Sequence, residues 1–231
     1  MIIGLEVDWK DWMKEDSLVL DEIAVRVSPK DVLKQLGYPQ AACLSSSVEE
    51  KVRVQITETV PLMQPKGTYL RLQAAGQKGF ELFSGAEGMV LALATIGGAV
   101  EQRARELVNM ERGATGLIVD AIGTVAVEQT ADLLERKIHQ DFAGAGWNVS
   151  RRYAPGYCGW RIEAQAQILS SFSDTLGINL TCSCLMIPEK SLSFACLLSR
   201  SGDFSMIKVK ECRRCKQDAC SYRSEPYDGK G

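Results

Sequence analysis

The residues best suited to chemistry lie in one short basic turn, which runs from Arg151 to Tyr157 with the sequence Arg-Arg-Tyr-Ala-Pro-Gly-Tyr. Pro155 holds its φ at about −65°, and Gly156 lets the backbone turn where a β-carbon would clash. The guanidinium of Arg152 and the phenol of Tyr157 flank this turn. The pattern predicts either an ordinary structural turn or a backbone cradle that holds a charged small molecule.

Three cysteines near the C-terminus form the strongest metal-binding motif in the sequence. Cys212, Cys215 and Cys220 lie within nine residues, among basic neighbours that favour the thiolate form. The motif predicts a zinc or iron–sulfur site, and the alternative is three solvated thiols that bind no metal. A closed site requires a fourth ligand, and the candidates elsewhere in the chain are Cys158, Cys182, Cys184, Cys196 and the single histidine, His139.

Other chemically capable side chains have plainer expected roles. Cys182 and Cys184 are two residues apart on a predicted strand, so they share one face, and core packing is the favoured interpretation. His139 falls near the end of a long predicted helix and is expected at the surface. Glu128 interrupts a fairly apolar face of the same helix, where it is either a rim residue or a ligand contact. Its spacing alone favours the rim.

Several enzyme classes are excluded by missing motifs. The sequence has no Gly-x-x-x-x-Gly-Lys-Ser/Thr phosphate loop, no Gly-x-Gly-x-x-Gly motif after a strand and no Gly-x-Ser-x-Gly elbow. A single histidine leaves little room for Ser-His or Cys-His catalysis.

Composition and charge narrow the class of partner. The 231 residues carry 27 basic and 29 acidic side chains, a net charge of −2, which argues against general nucleic-acid binding. The longest apolar run, residues 88–100, is too short and too glycine-rich to span a bilayer. The N-terminus lacks the basic region followed by an apolar region that is typical of a secretory signal. We therefore expect a cytoplasmic protein without membrane or nucleic-acid partners, whose cysteines are mostly reduced.

The elements that must position these residues are mixed helices and strands. A capping pattern at residues 28–31 begins a helix that Gly37 stops, and a second cap at residues 47–50 begins a helix that runs to Thr59. Hairpin-type connections later in the chain, in place of regular βαβ alternation, favour an α+β fold with an antiparallel sheet. We expect one domain over residues 1–210 and a cysteine-bearing tail over residues 211–231.

The remaining predicted elements follow from hydrophobic periodicity and turn residues. They are strands at 69–72 and 80–83, a buried central strand at 89–96, helices at 99–111 and 115–142, a strand at 147–152, an amphipathic helix at 160–176, two strands at 178–186 and 191–200 joined at 188–190, and a strand at 206–209.

Two further motifs follow the basic turn along the chain. They are Leu-Thr-Cys-Ser at 180–183 and Met-Ile-Pro-Glu-Lys-Ser-Leu-Ser at 186–193. Together with Arg-Tyr-Ala-Pro-Gly-Tyr at 152–157, their order and spacing resemble the activation domain of cobalamin (vitamin B12)-dependent methionine synthase. The resemblance is specific over residues 147–200 and looser over 85–140, where it follows free-standing members of the family. It implies a C-shaped single α+β domain with a bent antiparallel sheet flanked by helices.

The resemblance also implies a role in methionine biosynthesis. Such domains bind S-adenosylmethionine and supply its methyl group when cobalamin has reached the inactive cob(II) state, with an electron from a flavodoxin- or ferredoxin-type donor. The cobalamin-binding motif Asp-x-His-x-x-Gly is missing, and 231 residues cannot hold homocysteine and folate barrels. The implied function is that of a reactivation subunit, a component of a methyltransferase, that serves a separate cobalamin-binding or corrinoid protein.

Roles for individual residues follow from the same resemblance. Arg152 is expected to bind the methionine carboxylate of S-adenosylmethionine, a contact suited to a guanidinium. The backbone at Ala154 is expected to hold the adenine, with Pro155 and Gly156 shaping that approach. Tyr157 is expected to face the corrin.

Two positions outside the turn complete the implied site. Glu128 is expected to balance the positive charge of the ligand. This role replaces the position at the rim of the apolar helix face that its spacing alone favours. A late-strand tyrosine of the family has its nearest counterpart at Phe204, which lacks the hydroxyl. The alternatives are an activator of another corrinoid methyltransferase and a zinc-stabilised interaction module that has the fold without the ligand.

Overall fold

A curled antiparallel sheet flanked by helices organises the chain. The computed structural model describes residues 18–21, 23–38, 46–72, 80–83, 85–204 and 226. The elements, in chain order, are β1 (Leu18–Leu20), α1 (Pro29–Gln35), α2 (Ser46–Thr59), a 3₁₀ turn (Val60–Leu62), β2 (Lys66–Leu72), a second 3₁₀ turn (Glu81–Phe83), β3 (Gly88–Thr95), α3 (Ala99–Asn109), α4 (Gly113–Gly144), β4 (Asn148–Val149), α5 (Ala164–Ser170), β5 (Asn179–Leu180), β6 (Met186–Ile187) and β7 (Ser191–Ser199).

The sheet has the strand order β1-β2-β3-β7-β4, and every neighbouring pair is antiparallel. Both faces of its centre are covered, so all eight residues of β3 are buried. The α4 helix packs on one face through Ala131, Leu134 and Ile138. Phe83, Trp160 and other apolar residues cover the opposite face. This double coverage explains the uninterrupted apolar run that predicted a central strand.

Helices α3 and α4 form an antiparallel hairpin beside the sheet. Gly116 lets them approach closely, because a β-carbon there would lie 2.9 Å from the carbonyl oxygen of Ala104. The N-terminal half of α4 shares a second apolar core with α1, α2 and α3. The long α4 helix therefore connects this helical layer to the sheet, and it presents its remaining face to the segment after β4.

The predicted α+β class and the flanked antiparallel sheet are confirmed, as are the capped α1 helix and the central strand. Ser28 is the N-cap of α1, where its hydroxyl accepts a hydrogen bond from the Asp31 N–H at 3.2 Å. Within the described residues, no helix is both long enough and apolar enough to cross a membrane.

The predicted strand at 80–83 is wrong. This segment forms a 3₁₀ turn, in which the Phe83 N–H donates to the Phe80 carbonyl at 2.9 Å. Both phenylalanines are buried and pack against Trp160, with ring centroids 5.9 and 4.8 Å from its ring. A three-residue repeat places them on one side, whereas a strand would place them on opposite sides.

Two longer elements are shorter than predicted. The helix expected at 160–176 is reduced to α5, because the hydroxyls of Ser170 and Ser171 donate to the Gln167 carbonyl at 3.0 and 2.9 Å and end the helical ladder. The strand expected at 178–186 breaks into β5 and β6, which pair with each other around a turn closed by Thr181. The expected strand at 206–209 and the tail at 211–231 lie outside the described residues, apart from Pro226.

Candidate ligand-binding site

A β-bulge separates β4 from the basic turn. Val149 pairs with Leu198 on β7, and the next ladder contact joins Tyr153 to Ala195. Three residues lie between these contacts on the β4 side and two on β7, so the β4 side has one extra residue. At the bulge, the Ser150 hydroxyl accepts the Leu197 N–H at 2.9 Å in place of a backbone carbonyl. The extra residue ends the strand expected at 147–152 after two residues and turns Arg152 toward α4.

Two tight turns follow the bulge. The Tyr157 N–H donates to the Ala154 carbonyl at 3.2 Å, with Pro155 and Gly156 between them; the φ of +90° at Gly156 is that of a type II turn. The next turn closes from the Trp160 N–H to the Tyr157 carbonyl at 2.9 Å. The Pro-Gly pair thus forms the turn that its sequence predicts.

Buried aromatic rings anchor this double turn to the sheet. Trp160 is 3% exposed, and its ring meets the Phe83 ring edge to face at 4.8 Å. Tyr153 also packs against Phe83, with ring centroids 5.8 Å apart. The Gly156 N–H also donates to the Trp160 carbonyl at 2.8 Å. These contacts hold the backbone of the turn against the sheet.

Three carboxylates of α4 surround the guanidinium of Arg152. Its Nη2 donates to Glu128 at 2.8 Å, and its Nη1 donates to Asp132 at 2.5 Å and to Glu135 at 3.1 Å. The backbone N–H of Arg152 donates to the other oxygen of Glu135 at 2.9 Å. The three acids are spaced four and three residues apart, so they share one face of the helix. The group carries two negative charges in excess over the single guanidinium.

The neighbouring carboxylates keep the guanidinium of Arg152 charged. Burial acts to lower the pKa of Arg152, but the hydrogen bond and charge of Asp132 and the charges of Glu128 and Glu135 outweigh it and raise that pKa. Burial raises the pKa of the Cys196 thiol, and the charge of Glu135 raises it further against the opposing charge of Arg152. Cys196 is therefore a protonated core residue and a poor metal ligand.

The cluster borders an open cleft with a volume of 460 Å³. Both signs of charge line this cleft, and its lining residues are Asp132, Glu135, Arg136, His139 and Gln140. A cleft of this composition can meet the two ends of a zwitterion.

A second cleft, of 610 Å³, lies between α3 and α4. Its charged groups are paired with one another or with a neighbour. Glu101 accepts from Arg105 at 2.8 Å, and Asp120 meets Lys190 at 2.7 Å. We place the candidate site at the smaller cleft, because two of the acids that line it, Asp132 and Glu135, also bind Arg152 at the start of the basic turn.

The residues predicted for a ligand site lie on both sides of this edge. Arg152 and Glu128 are in direct contact. Within the described part of the chain, the Ala154 N–H has no hydrogen-bond partner, because the ladder to β7 uses the backbone of Tyr153. Pro155 is buried beneath the turn, whereas Gly156 and Tyr157 are exposed.

Sequence reasoning missed Asp132 and Glu135. Their spacing from Glu128 is visible in the sequence, but the bulge that brings Arg152 to them is not. Phe204 is half-buried and packs against the core that contains Trp160.

The cysteines considered as possible ligands differ in burial where the structure describes them: Cys196 is buried and Cys158 is half-buried. Cys182 is exposed and Cys184 is half-buried at a turn, so the core-packing interpretation of Cys182 is wrong. Among the described residues, no three cysteine, histidine or acidic side chains are grouped closely enough to hold a metal. Cys212, Cys215 and Cys220 lie outside the described residues, so the metal site expected there stays a prediction.

Comparison with solved structures relates the fold of the chain to a known domain. The chain is similar in fold to the MetH reactivation domain. A crystal structure of that domain bound to AdoHcy matches with a TM-score of 0.55, covering 82% of this chain and 82% of that one. The sequence identity is 13%, so the match establishes the fold alone. No family model matches the sequence, and no curated protein does.

Proposed function

We propose that this chain binds S-adenosylmethionine at the basic turn and serves as a reactivation subunit for a cobalamin-dependent methionine synthase. The observation that carries the proposal lies at residues 152–157, where the guanidinium of Arg152 contacts three carboxylates of α4. In the same segment, the Ala154 N–H has no hydrogen-bond partner among the described residues, and the Tyr157 side chain is exposed. The fold supports it, because the MetH reactivation domain with the same fold was crystallised with AdoHcy.

The proposed roles follow the chemistry of each group. The guanidinium of Arg152 holds the ligand carboxylate by charge-assisted hydrogen bonds. The N–H of Ala154 donates to the adenine, and the turn at Pro155 and Gly156 lets the base approach the backbone. Glu128 attracts the positively charged end of the ligand. Tyr157, 46% exposed, faces the corrin of the partner.

Cobalamin held by the partner would accept the methyl group in a reductive methylation that takes one electron from a flavodoxin- or ferredoxin-type donor. The residues of this chain bind the methyl donor and orient its sulfonium. When the sulfonium becomes a neutral thioether, its attraction to Glu128 is lost, so the spent ligand is held less tightly than the methyl donor. The chain thereby acts as one component of a methyltransferase.

Calorimetric titration with S-adenosylmethionine tests ligand binding. Arg152→Ala should lose about 1.5–3 kcal/mol of binding free energy, the range for a hydrogen bond to a charged group. Arg161→Ala is the matched control, because Arg161 is 82% exposed and its one ion-pair partner among the described residues is nearby Glu163. Absence of binding by the wild-type chain would contradict the proposal. An unchanged dissociation constant in Arg152→Ala, with thermal unfolding showing a folded variant, would remove Arg152 from the site.

The choice of partner requires a second assay. Cob(II)alamin-loaded methionine synthase that lacks its own reactivation domain should regain methylcobalamin, followed by its absorbance, when this chain, S-adenosylmethionine and reduced flavodoxin are added. Recovery only with another corrinoid methyltransferase would assign the chain to that protein. Ligand binding without recovery on either partner would contradict the reactivation role.

A further inference from the structure

The outer end of the Arg152 guanidinium, at Nη1 and Nη2, is largely occupied in the structure. This end offers four N–H groups, and three of them are directed to Glu128, Asp132 and Glu135. A carboxylate that takes two parallel hydrogen bonds from this end must therefore replace an acceptor that belongs to the protein.

The three acceptors differ in how firmly they are held. The side chains of Glu128 and Glu135 are 25% and 21% exposed, and Glu135 also accepts the backbone N–H of Arg152 at 2.9 Å. The side chain of Asp132 is 50% exposed and holds Arg152 by a single contact. The Asp132 contact, at 2.5 Å, is the shortest of the three, but Asp132 is the acceptor most open to solvent, so water can hydrate its carboxylate most fully when it leaves Arg152.

A second partner for Asp132 lies one helical turn away. Arg136 is four residues further along α4, a spacing that suits an Asp–Arg pair on a helix surface. Arg136 is exposed, and it has no ion pair or hydrogen bond within the described residues. Both side chains line the 460 Å³ cleft, so Asp132 can move between the two guanidinium groups inside open space.

We propose that Asp132 is a specificity-determining residue, an internal substitute for the ligand carboxylate that moves from Arg152 to Arg136 when the ligand binds. The proposal rests on the proposed function, since the ligand is S-adenosylmethionine. A ligand without a carboxylate cannot compete for Arg152. A simple carboxylate without a positive charge is repelled by Glu128 and Glu135. The exchange therefore selects ligands that carry a carboxylate and a cation together.

Calorimetry with two probes separates the effect of the carboxylate from the rest of the ligand. The probes are S-adenosylmethionine and its decarboxylated form, which keeps the sulfonium, the amine and the adenosine. Asp132→Asn should bind S-adenosylmethionine about fivefold more tightly, the equivalent of about 1 kcal/mol for an exposed ion pair. It should show no gain for the decarboxylated probe. Glu106→Gln, an exposed acid on α3, is the control for a general change in charge.

Arg136→Gln supplies the second arm of the test. Losing the alternative partner of Asp132 should weaken S-adenosylmethionine binding about twofold to threefold. This effect is smaller than the loss of a typical exposed ion pair. In the Asp132→Asn background, the same substitution should have no effect. A loss that persists in that background would show that Arg136 contacts the ligand itself, and it would overturn the exchange.

The two proposals fail in different ways. If the wild-type chain binds S-adenosylmethionine and Asp132→Asn binds it equally or more weakly, the role of Asp132 is wrong and the proposed function stands. If neither the wild-type chain nor any variant binds S-adenosylmethionine, both are wrong.

Discussion

Gly156 is the residue on which the geometry of the basic turn depends. Its φ of +90° is a conformation that side chains with a β-carbon rarely adopt, and it places the backbone of the turn at the surface. Pro155 precedes it with a fixed φ, so the two residues together account for the turn. The sequence predicted this turn because Pro-Gly is a local signal that needs no distant partner.

Gly156→Ala should therefore destabilise the chain and weaken the ligand site. The positive φ costs about 1–3 kcal/mol, and the new β-carbon would lie 3.3 Å from Cδ1 of Ile162. Thermal unfolding measures the stability, and calorimetry with S-adenosylmethionine measures the affinity. Gly144→Ala is the control, since its β-carbon would meet nothing within 4 Å. Equal melting temperatures for the two variants would contradict the strained turn.

The long α4 helix is the element that joins the site to the rest of the fold. It packs against α3 at one end, crosses the sheet, and presents its acidic face to Arg152. Its position depends on close approach at Gly116 and on the hydrogen bond from the Tyr69 hydroxyl of β2 to Asp141. The bulge after β4 then supplies the other half of the site.

Gly116→Ala tests the helix contact. A β-carbon 2.9 Å from the Ala104 carbonyl oxygen forces α3 and α4 apart, and we expect a loss of about 1–3 kcal/mol of unfolding free energy. Gly113→Ala lies on the same helix with nothing within 4 Å, and it should leave the stability unchanged or raise it. Denaturant unfolding of both variants measures the difference. A stabilised Gly116→Ala variant would show that the helices are not in close contact there.

Tyr69→Phe tests how α4 is held to the sheet, and its effect should depend on pH. Burial, with the hydrogen bond and charge of Asp141, raises the pKa of Tyr69. Burial acts to raise the pKa of Asp141, but the hydrogen bonds from Lys137 and Tyr69 and the charge of Lys137 lower it. The variant should lose about 1.5 kcal/mol of unfolding free energy near neutral pH.

The two pKa shifts set the pH range over which the Tyr69–Asp141 hydrogen bond stabilises the fold. A raised tyrosine pKa stabilises the fold below the unfolded value, near 10, and the benefit is lost as the pH rises through the folded value. A lowered aspartate pKa stabilises it above the unfolded value, near 4, and the benefit is lost as the pH falls through the folded value. The gap between wild type and Tyr69→Phe should therefore narrow at both extremes. A gap that is constant with pH would contradict the pairing.

At the scale of the whole molecule, local signals predicted the fold better than they predicted the site. The buried run of β3 and the cap of α1 were recognisable because each depends on neighbouring residues. The 3₁₀ turn at 81–83 and the broken strand at 178–186 were missed, since tertiary packing and side-chain hydrogen bonds decide them. Asp132 and Glu135 were missed for the same reason, because their partner is brought to them by a bulge about twenty residues away.

The most direct test of the central claim is an amide chemical-shift titration of the ¹⁵N-labelled chain with S-adenosylmethionine. The proposed site predicts that the largest shifts fall on the amides of Arg152, Ala154 and Gly156 and on the facing turn of α4 around Asp132. The amide chemical shifts of residues that line the 610 Å³ cleft between α3 and α4 should not change. Saturable shifts confined to that cleft, with residues 152–157 unchanged, would contradict the proposed site.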